Sequence, residues 1–193
     1  MREIVFASSN EGKIKELQAL LGEGWFVKSA KAFPDIPEVI EDADTFEGNA
    51  ARKARTFAKA TGLWALADDS GLVVDALDGR PGVWSARYAP TDVERIDKLL
   101  KELSAVPAAR RTARFICVLC LAAPDDRVQF STGTCEGTIG TAPRGTHGFG
   151  YDPIFVLPSG KTMSELSSDE KSALSHRGHA LRAMLPNIIA AGG

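Results

Sequence analysis

Two adjacent carboxylates, Asp68 and Asp69, sit between two apolar runs, LWALA before them and LVVDAL after the Ser70-Gly71 that follows. Neighbouring like charges are costly to bury unless a cation or a shared proton compensates them. The segment therefore reads as a polar DDSG turn between two strands. Such a turn is either a solvated bend or a divalent-metal or acid/base site at the end of a strand. Whichever holds, a chain that leads two buried strands into this point must organise its fold around it.

The surrounding pattern is that of an α/β protein. EIVFA (3–7) reads as a buried strand, SSNEG as a polar turn, and KIKELQALL (13–21) as a helix with Ile14, Leu17, Leu20 and Leu21 inward. Asp44 or Thr45 caps a second helix that carries Phe46, Ala50, Ala54, Phe57 and Ala58 and ends near Gly62. LDGRPG (77–82) is a tight connection, and the stretch to Tyr88 is expected to be irregular. Thr91 and Glu94 stand in capping-box register ahead of a third helix with Ile96, Leu99, Leu100 and Leu103. TARFICVLCLAA and RVQFSTGTC, joined by PDD, predict an antiparallel hairpin. IFVLP predicts a further strand, and two helices are expected around 167–174 and from about Ser175. With 193 residues, one domain spanning 1–193 is the expectation.

A formal charge of -2 gives no footprint for nucleic acid or anionic lipid, although a small polyphosphate needs only a local cationic site and a metal. The N-terminal residues turn polar too early for a signal peptide, and no stretch is long enough to span a bilayer, so a cytoplasmic location is expected. Cys117 and Cys120 have metal or redox spacing, but they lie in the apolar run FICVLCLAA without a second pair, and they read as core thiols.

Four further segments carry chemistry. Ser8, Ser9, Asn10, Glu11, Gly12 and Lys13 stand at a strand-to-helix junction, where unpaired helical amides, hydroxyls and a lysine suit phosphate. A capped helix start is the plainer reading, and the spacing is not that of a Walker A loop. Glu41 and Lys53 flank the second helix. They are either solvated charges, or a carboxylate to join Asp69 on a hard cation and an ammonium for phosphate. Phe149, Gly150, Tyr151 and Asp152 suit a loop that stacks on a planar ligand, or a rigid turn. Lys171, His176 and Arg177 concentrate donors that complement a base edge bearing an oxygen, as O6 of hypoxanthine or xanthine does. Adenine would present donor to donor there. Guanine shares O6, so these residues alone do not exclude it.

Taken in order, SSNEGK (8–13), EDADTFEGNAARKA (41–54), ADDSG (67–71), PGVWSARY (81–88), GFGYDPIF (148–155) and EKSALSHRGHAL (170–181) resemble the Ham1/inosine triphosphate pyrophosphatase family across essentially the whole chain. The likeness is greatest to its bacterial dITP/XTP pyrophosphatases. The resemblance implies an elongated two-lobed α/β fold with a mixed sheet and a central substrate cleft. It implies Mg²⁺-dependent hydrolysis of deaminated purine nucleoside triphosphates to monophosphate and pyrophosphate, and a homodimer. Carried over, it gives Ser8 to Lys13 and Lys53 to the triphosphate, Glu41 and Asp69 to the metal, and Asp69 to proton acceptance with Asp68 in support. Ser70 would contact substrate, and Phe149 to Asp152, Lys171, His176 and Arg177 would receive the base. Ser8-Ser9 stands where Thr-Gly is common, and Arg95 where relatives often carry Asn. Two alternatives remain at this point: a pyrophosphatase of standard or modified nucleotides, and a nucleotide-binding regulatory protein without turnover.

Overall fold

The computed structural model describes residues 2–192, so Met1 and Gly193, the ends of the expected single domain, lie outside the described residues. Strand β1 (Arg2–Phe6) is the centre of the N-terminal half. It pairs in parallel with β2 (Trp25–Ser29) on one side, Ile4 opposite Val27, and with β3 (Ala65–Val74) on the other, Val5 opposite Ala65. Parallel neighbours need a crossover, and helices supply it: α1 (Glu11–Leu21) between β1 and β2, and α2 (Phe46–Thr61) between β2 and β3. The sequence pattern does not mark strand β2. It alternates correctly, with Trp25 and Val27 buried, but Phe26 on the outward face is also apolar and hides the period.

Thr45 caps α2 by accepting the Gly48 amide, and Gly62 ends it at φ +68, where its N–H reaches the Ala58 carbonyl. Of the two caps expected for this helix, Asp44 and Thr45, the structure uses Thr45. Further along, α3 (Asp92–Glu102) begins with the expected Thr91–Glu94 capping box. The stretch from Gly82 to Arg87, expected to be irregular, is a 3-10 helix. Strands β4 (Thr112–Ala122) and β5 (Val128–Ile139) form the expected hairpin, closed where the Ala123 amide donates to the Arg127 carbonyl. IFVLP yields only the two-residue strand β6 (Phe155–Val156), antiparallel to β5. Helices α4 (Ser168–Leu174) and α5 (His176–Ala191) close the chain. The strands follow the order β2-β1-β3-β4-β5-β6, a mixed sheet in an α/β protein.

The main correction concerns the two aspartates. No turn separates LWALA from LVVDAL: β3 runs unbroken through Asp68, Asp69, Ser70 and Gly71. A turn signal written in residue types fails here because each carboxylate meets a compensating group on neighbouring elements. The strand therefore has no need to bend toward solvent.

The chain divides into two compact units. The first comprises 1–69, 117–133 and 180–193, and its core joins Ile4, Phe6, Leu17, Leu66, Leu119 and Met184. The second comprises 70–116 and 134–179, with a core of Leu72, Leu99, Phe115, Ile154, Phe155 and Met163. Strands β3, β4 and β5 contribute residues to both. Among the described residues no helix is long and apolar enough to cross a membrane.

All three cysteines are buried, and none is in a disulfide among the described residues. Cys117 and Cys120 are three apart on β4, and alternation sends their side chains to opposite faces, so the pair cannot share a metal or a disulfide. Burial pushes the Cys120 thiol up to about 12 and raises that of Cys135. A thiol reagent at neutral pH is expected to label none of the three in the native protein and all three after denaturation. Labelling kinetics followed with and without guanidinium check this.

Candidate active site

In the first unit the site is built on β3 and two helices. Alternation places Asp68 on the same face of the strand as Leu66, whose side chain packs in the core with Leu17 of α1. Asp69 takes the opposite face with Ala65 and Ala67. The two carboxylates are thus adjacent in sequence but directed apart, which relieves the repulsion that a shared turn would have imposed. Asp68 is 3% exposed and both of its oxygens accept from Lys13 Nζ, at 2.9 and 2.7 Å. Lys13 reaches it from the first turn of α1. Asp69, 9% exposed, accepts at Oδ2 from Asn49 Nδ2 of α2 at 2.9 Å.

Asn49 is buried and makes a second contact. Its Oδ1 accepts the Ala43 amide at 2.9 Å, which ties the segment carrying Glu41 to the start of α2. One helical turn further, Lys53 donates to the Asp68 carbonyl at 2.5 Å and pairs with Glu41. Asn49 and Lys53 are four apart, so one face of α2 presents both to β3. Two ammonium groups therefore stand among three carboxylates, each held by a short contact.

The junction between β1 and α1 is a tighter cap than its residue types predict. Asn10 Oδ1 accepts from the Gly12 and Lys13 amides, and Ser8 Oγ accepts the Asn10 amide. Asn10 thus satisfies two of the helical N–H groups expected to meet phosphate. Ser9 is exposed, and Glu11 points its carboxylate at Lys31, whose hydrogen bond lowers the Glu11 pKa. Of the segment from Ser8 to Lys13, the structure brings the Lys13 side chain to Asp68.

Oxygen donors of this kind suit a hard divalent cation. Among the described residues no group of three or more His, Cys, Asp or Glu side chains converges as a protein-only metal cage. A cation that keeps waters and draws on substrate phosphates needs only one or two carboxylates, and Asp69 and Glu41 fit that requirement.

In the second unit, Asp152 Oδ2 accepts the Phe149 amide at 2.9 Å and also the Lys171 ammonium. Lys171 Nζ lies 4.9 Å from the centre of the Phe149 ring, and Phe149 is 62% exposed. Gly148 adopts φ +83, and a Cβ there would run into the Asp152 carboxylate, so only glycine permits this turn. Tyr151 is buried and its hydroxyl donates to the Ser85 carbonyl at 3.0 Å. Burial raises the Tyr151 pKa, and the phenol stays protonated. An exposed ring beside a fixed ammonium can stack on a planar ligand and donate to an oxygen on its edge. His176 opens α5 with its ring stacked on Phe115, centroids 5.0 Å apart and 17° between planes, and Arg177 follows it. Ser70 follows Asp69 on β3, partly buried.

Sequence reasoning misses Asn49. Its signal is a polar residue on the apolar stripe of α2, one turn before Lys53. Asp92, whose Oδ2 accepts the Gly150 amide at 2.8 Å, carries no comparable signal, because an aspartate in a first helical turn is ordinary.

The sequence profile of the Ham1 family matches residues 4–187. A dITP/XTP pyrophosphatase of Shouchella clausii is 51% identical over 192 residues, covering 97% of each chain. One of Geobacillus kaustophilus is 52% identical over 186 residues, 94% of this chain and 91% of the other. Among solved structures, a HAM1 protein from Coxiella burnetii superposes with a TM-score of 0.93 at 45% identity, covering 99% of this chain and all of the other. The Staphylococcus aureus Ham1 protein gives 0.91 at 39%, covering 98% and 99%. With a profile that spans nearly the whole sequence and relatives at about half identity across it, the chain belongs to the Ham1 family.

Proposed function

We propose that this chain is a nucleoside-triphosphate pyrophosphatase that hydrolyses deaminated purine nucleotides, (d)ITP and XTP, to the monophosphate and pyrophosphate. The relatives' names support the reading. The observation that carries it is the Asp69 carboxylate, buried and held by Asn49, in the same unit as two lysines that are themselves held in place. A binding protein has no need to place an anion beside an anionic ligand; a hydrolase does, to orient and deprotonate water.

Asp69 takes the proton of the attacking water, whose oxygen bonds to the α-phosphorus while the bond from that phosphorus to the bridging oxygen breaks and pyrophosphate departs. Lys13 and Lys53 offset the charge that builds on the leaving group. Asp68 supports the step through Lys13, which it holds within reach of both its oxygens, and the backbone of Ser8 to Gly12 borders the phosphates. A divalent cation, Mg²⁺ in this reading, would be held by Glu41 and Asp69 and would polarise the phosphoryl oxygens. Ser70 contacts substrate. Phe149 stacks on the base, with Gly150, Tyr151 and Asp152 shaping its loop, and Lys171, His176 and Arg177 donate to the purine's oxygen-bearing edge. Adenine is rejected because its amino group would leave buried donors facing a donor. The whole chain acts as one catalytic domain, cytoplasmic and homodimeric, cleansing the nucleotide pool before polymerases draw on it.

The test is product analysis. Incubation with ITP and Mg²⁺ is expected to release IMP and pyrophosphate in equal amounts, with XTP comparable and ATP much slower. Orthophosphate with IDP, in place of pyrophosphate with IMP, would overturn the assignment, and tight ITP binding without turnover would make the chain a nucleotide sensor.

A further inference from the structure

The loop that carries Phe149 lies between two glycines in the left-handed region, Gly148 at φ +83 and Gly150 at φ +61. Glycines make such a loop easy to form and easy to loosen. Packing does not hold Phe149, whose ring is largely exposed. What fixes it is its backbone. Asp152 accepts the Phe149 amide from within the loop, and Asp92 accepts the Gly150 amide from the start of α3.

Asp92 is not needed as a helix cap, because the reciprocal Thr91–Glu94 pair already closes that end of α3. Its two oxygens are engaged elsewhere. Oδ2 takes the Gly150 amide, and Oδ1 takes Arg95 Nη1 at 2.7 Å. Arg95 is anchored in turn, donating through Nε to the Ala89 carbonyl at 2.9 Å and through Nη2 to the Pro90 carbonyl at 3.3 Å. The Arg95 side chain is 19% exposed, so it is a fixed rest for the carboxylate rather than a waving surface charge.

We infer that Asp92, aimed by Arg95, is a positioning residue for base recognition: it holds the Gly150 amide so that Phe149 is presented beside Lys171 before any ligand arrives. The inference rests on the assignment of this loop to the purine and deepens it. Neither Asp92 nor Arg95 touches the ligand in this scheme. Their effect is to remove the ordering cost that a loose loop would impose on binding. A loosened loop weakens ground-state and transition-state binding alike, so KM rises while kcat holds. It also blurs discrimination among purines that differ at the edge.

The experiment compares wild type, Asp92→Ala, Asp92→Asn and Arg95→Ala in the full chain. Steady-state kinetics with ITP and ATP are paired with amide hydrogen exchange over 148–152. Asp92→Ala is expected to raise KM for ITP about tenfold, the loss of one charge-assisted bond, with kcat kept within about twofold. The ratio of kcat/KM for ITP over ATP should narrow, and exchange in the loop should accelerate while the rest of the chain is unchanged. Asp92→Asn keeps an acceptor oxygen for Gly150 and should recover most of the KM. Arg95→Ala should fall between the two. An Asp92→Ala protein with wild-type KM and loop exchange overturns the inference. So does one whose kcat falls in step with its thermal midpoint, since that marks a general structural role. Wild-type protein that releases no pyrophosphate from ITP defeats the substrate assignment itself, and this inference with it, a result read from the wild type before any variant is compared.

Discussion

Asp69→Asn is expected to lower kcat for ITP by about 10²- to 10⁴-fold, the usual worth of a positioned general base. The substitution preserves shape. Its amide oxygen can still accept from Asn49 Nδ2, the 2.9 Å contact that fixes the side chain, so the strand and α2 should remain docked in the first unit. What disappears is the negative charge, and with it the proton acceptor and one oxygen ligand for a divalent cation. Because a buried carboxylate is being replaced by a neutral amide, thermal stability should be unchanged or slightly higher. Circular dichroism melts and ITP titration alongside the kinetics decide the matter. Turnover lost with fold and nucleotide binding retained supports the role of Asp69 in chemistry. An Asn variant that turns over at the wild-type rate would remove Asp69 from the mechanism and shift the base to another group.

The sequence is most readable where a residue type has one common use. The Thr91–Glu94 capping box, the glycine stop at Gly62 and the periodic stripe of α2 are all legible, because local hydrogen bonding and burial decide them. Strand β1 and the hairpin of β4 and β5 follow from apolar runs of strand length. The DDSG segment misleads for a non-local reason. Whether two adjacent aspartates form a turn or stay in a strand depends on what faces each of them, and Lys13 is 55 residues away in sequence from its partner. Asn49 is hidden similarly, since nothing local to α2 says that a buried amide will find a carboxylate 20 residues on. Asn10 is a residue type with two uses. Its residue type suits a phosphate ligand, but its nearest acceptor role, capping its own helix, is available at almost no conformational cost.

Lys13→Ala should be the most destabilising single change at the site, and the reason lies in what it leaves behind. Asp68 is 3% exposed, and its two oxygens share the Lys13 ammonium at 2.9 and 2.7 Å. Removing the cation leaves a carboxylate in an apolar layer without its lysine, a loss of about 3–5 kcal/mol for a fully buried pair. Lys13 itself is 20% exposed, which lets water screen the pair and moves the expectation to about 2–3 kcal/mol. For a chain of this size that is a fall in melting temperature of about 6 °C. Asp68→Asn, by contrast, should cost little, because the lysine it releases can reach solvent. The double variant Lys13→Ala/Asp68→Asn is therefore expected to be more stable than Lys13→Ala alone, an inversion of the usual additivity that isolates the pair's coupling. Denaturant melts of the four proteins measure it. Activity separates the lysine's two duties: if Lys13 also neutralises the leaving pyrophosphate, the double variant regains stability while its kcat stays as low as that of Lys13→Ala. Recovery of both together would mean that Lys13 serves only to keep Asp68 in the fold.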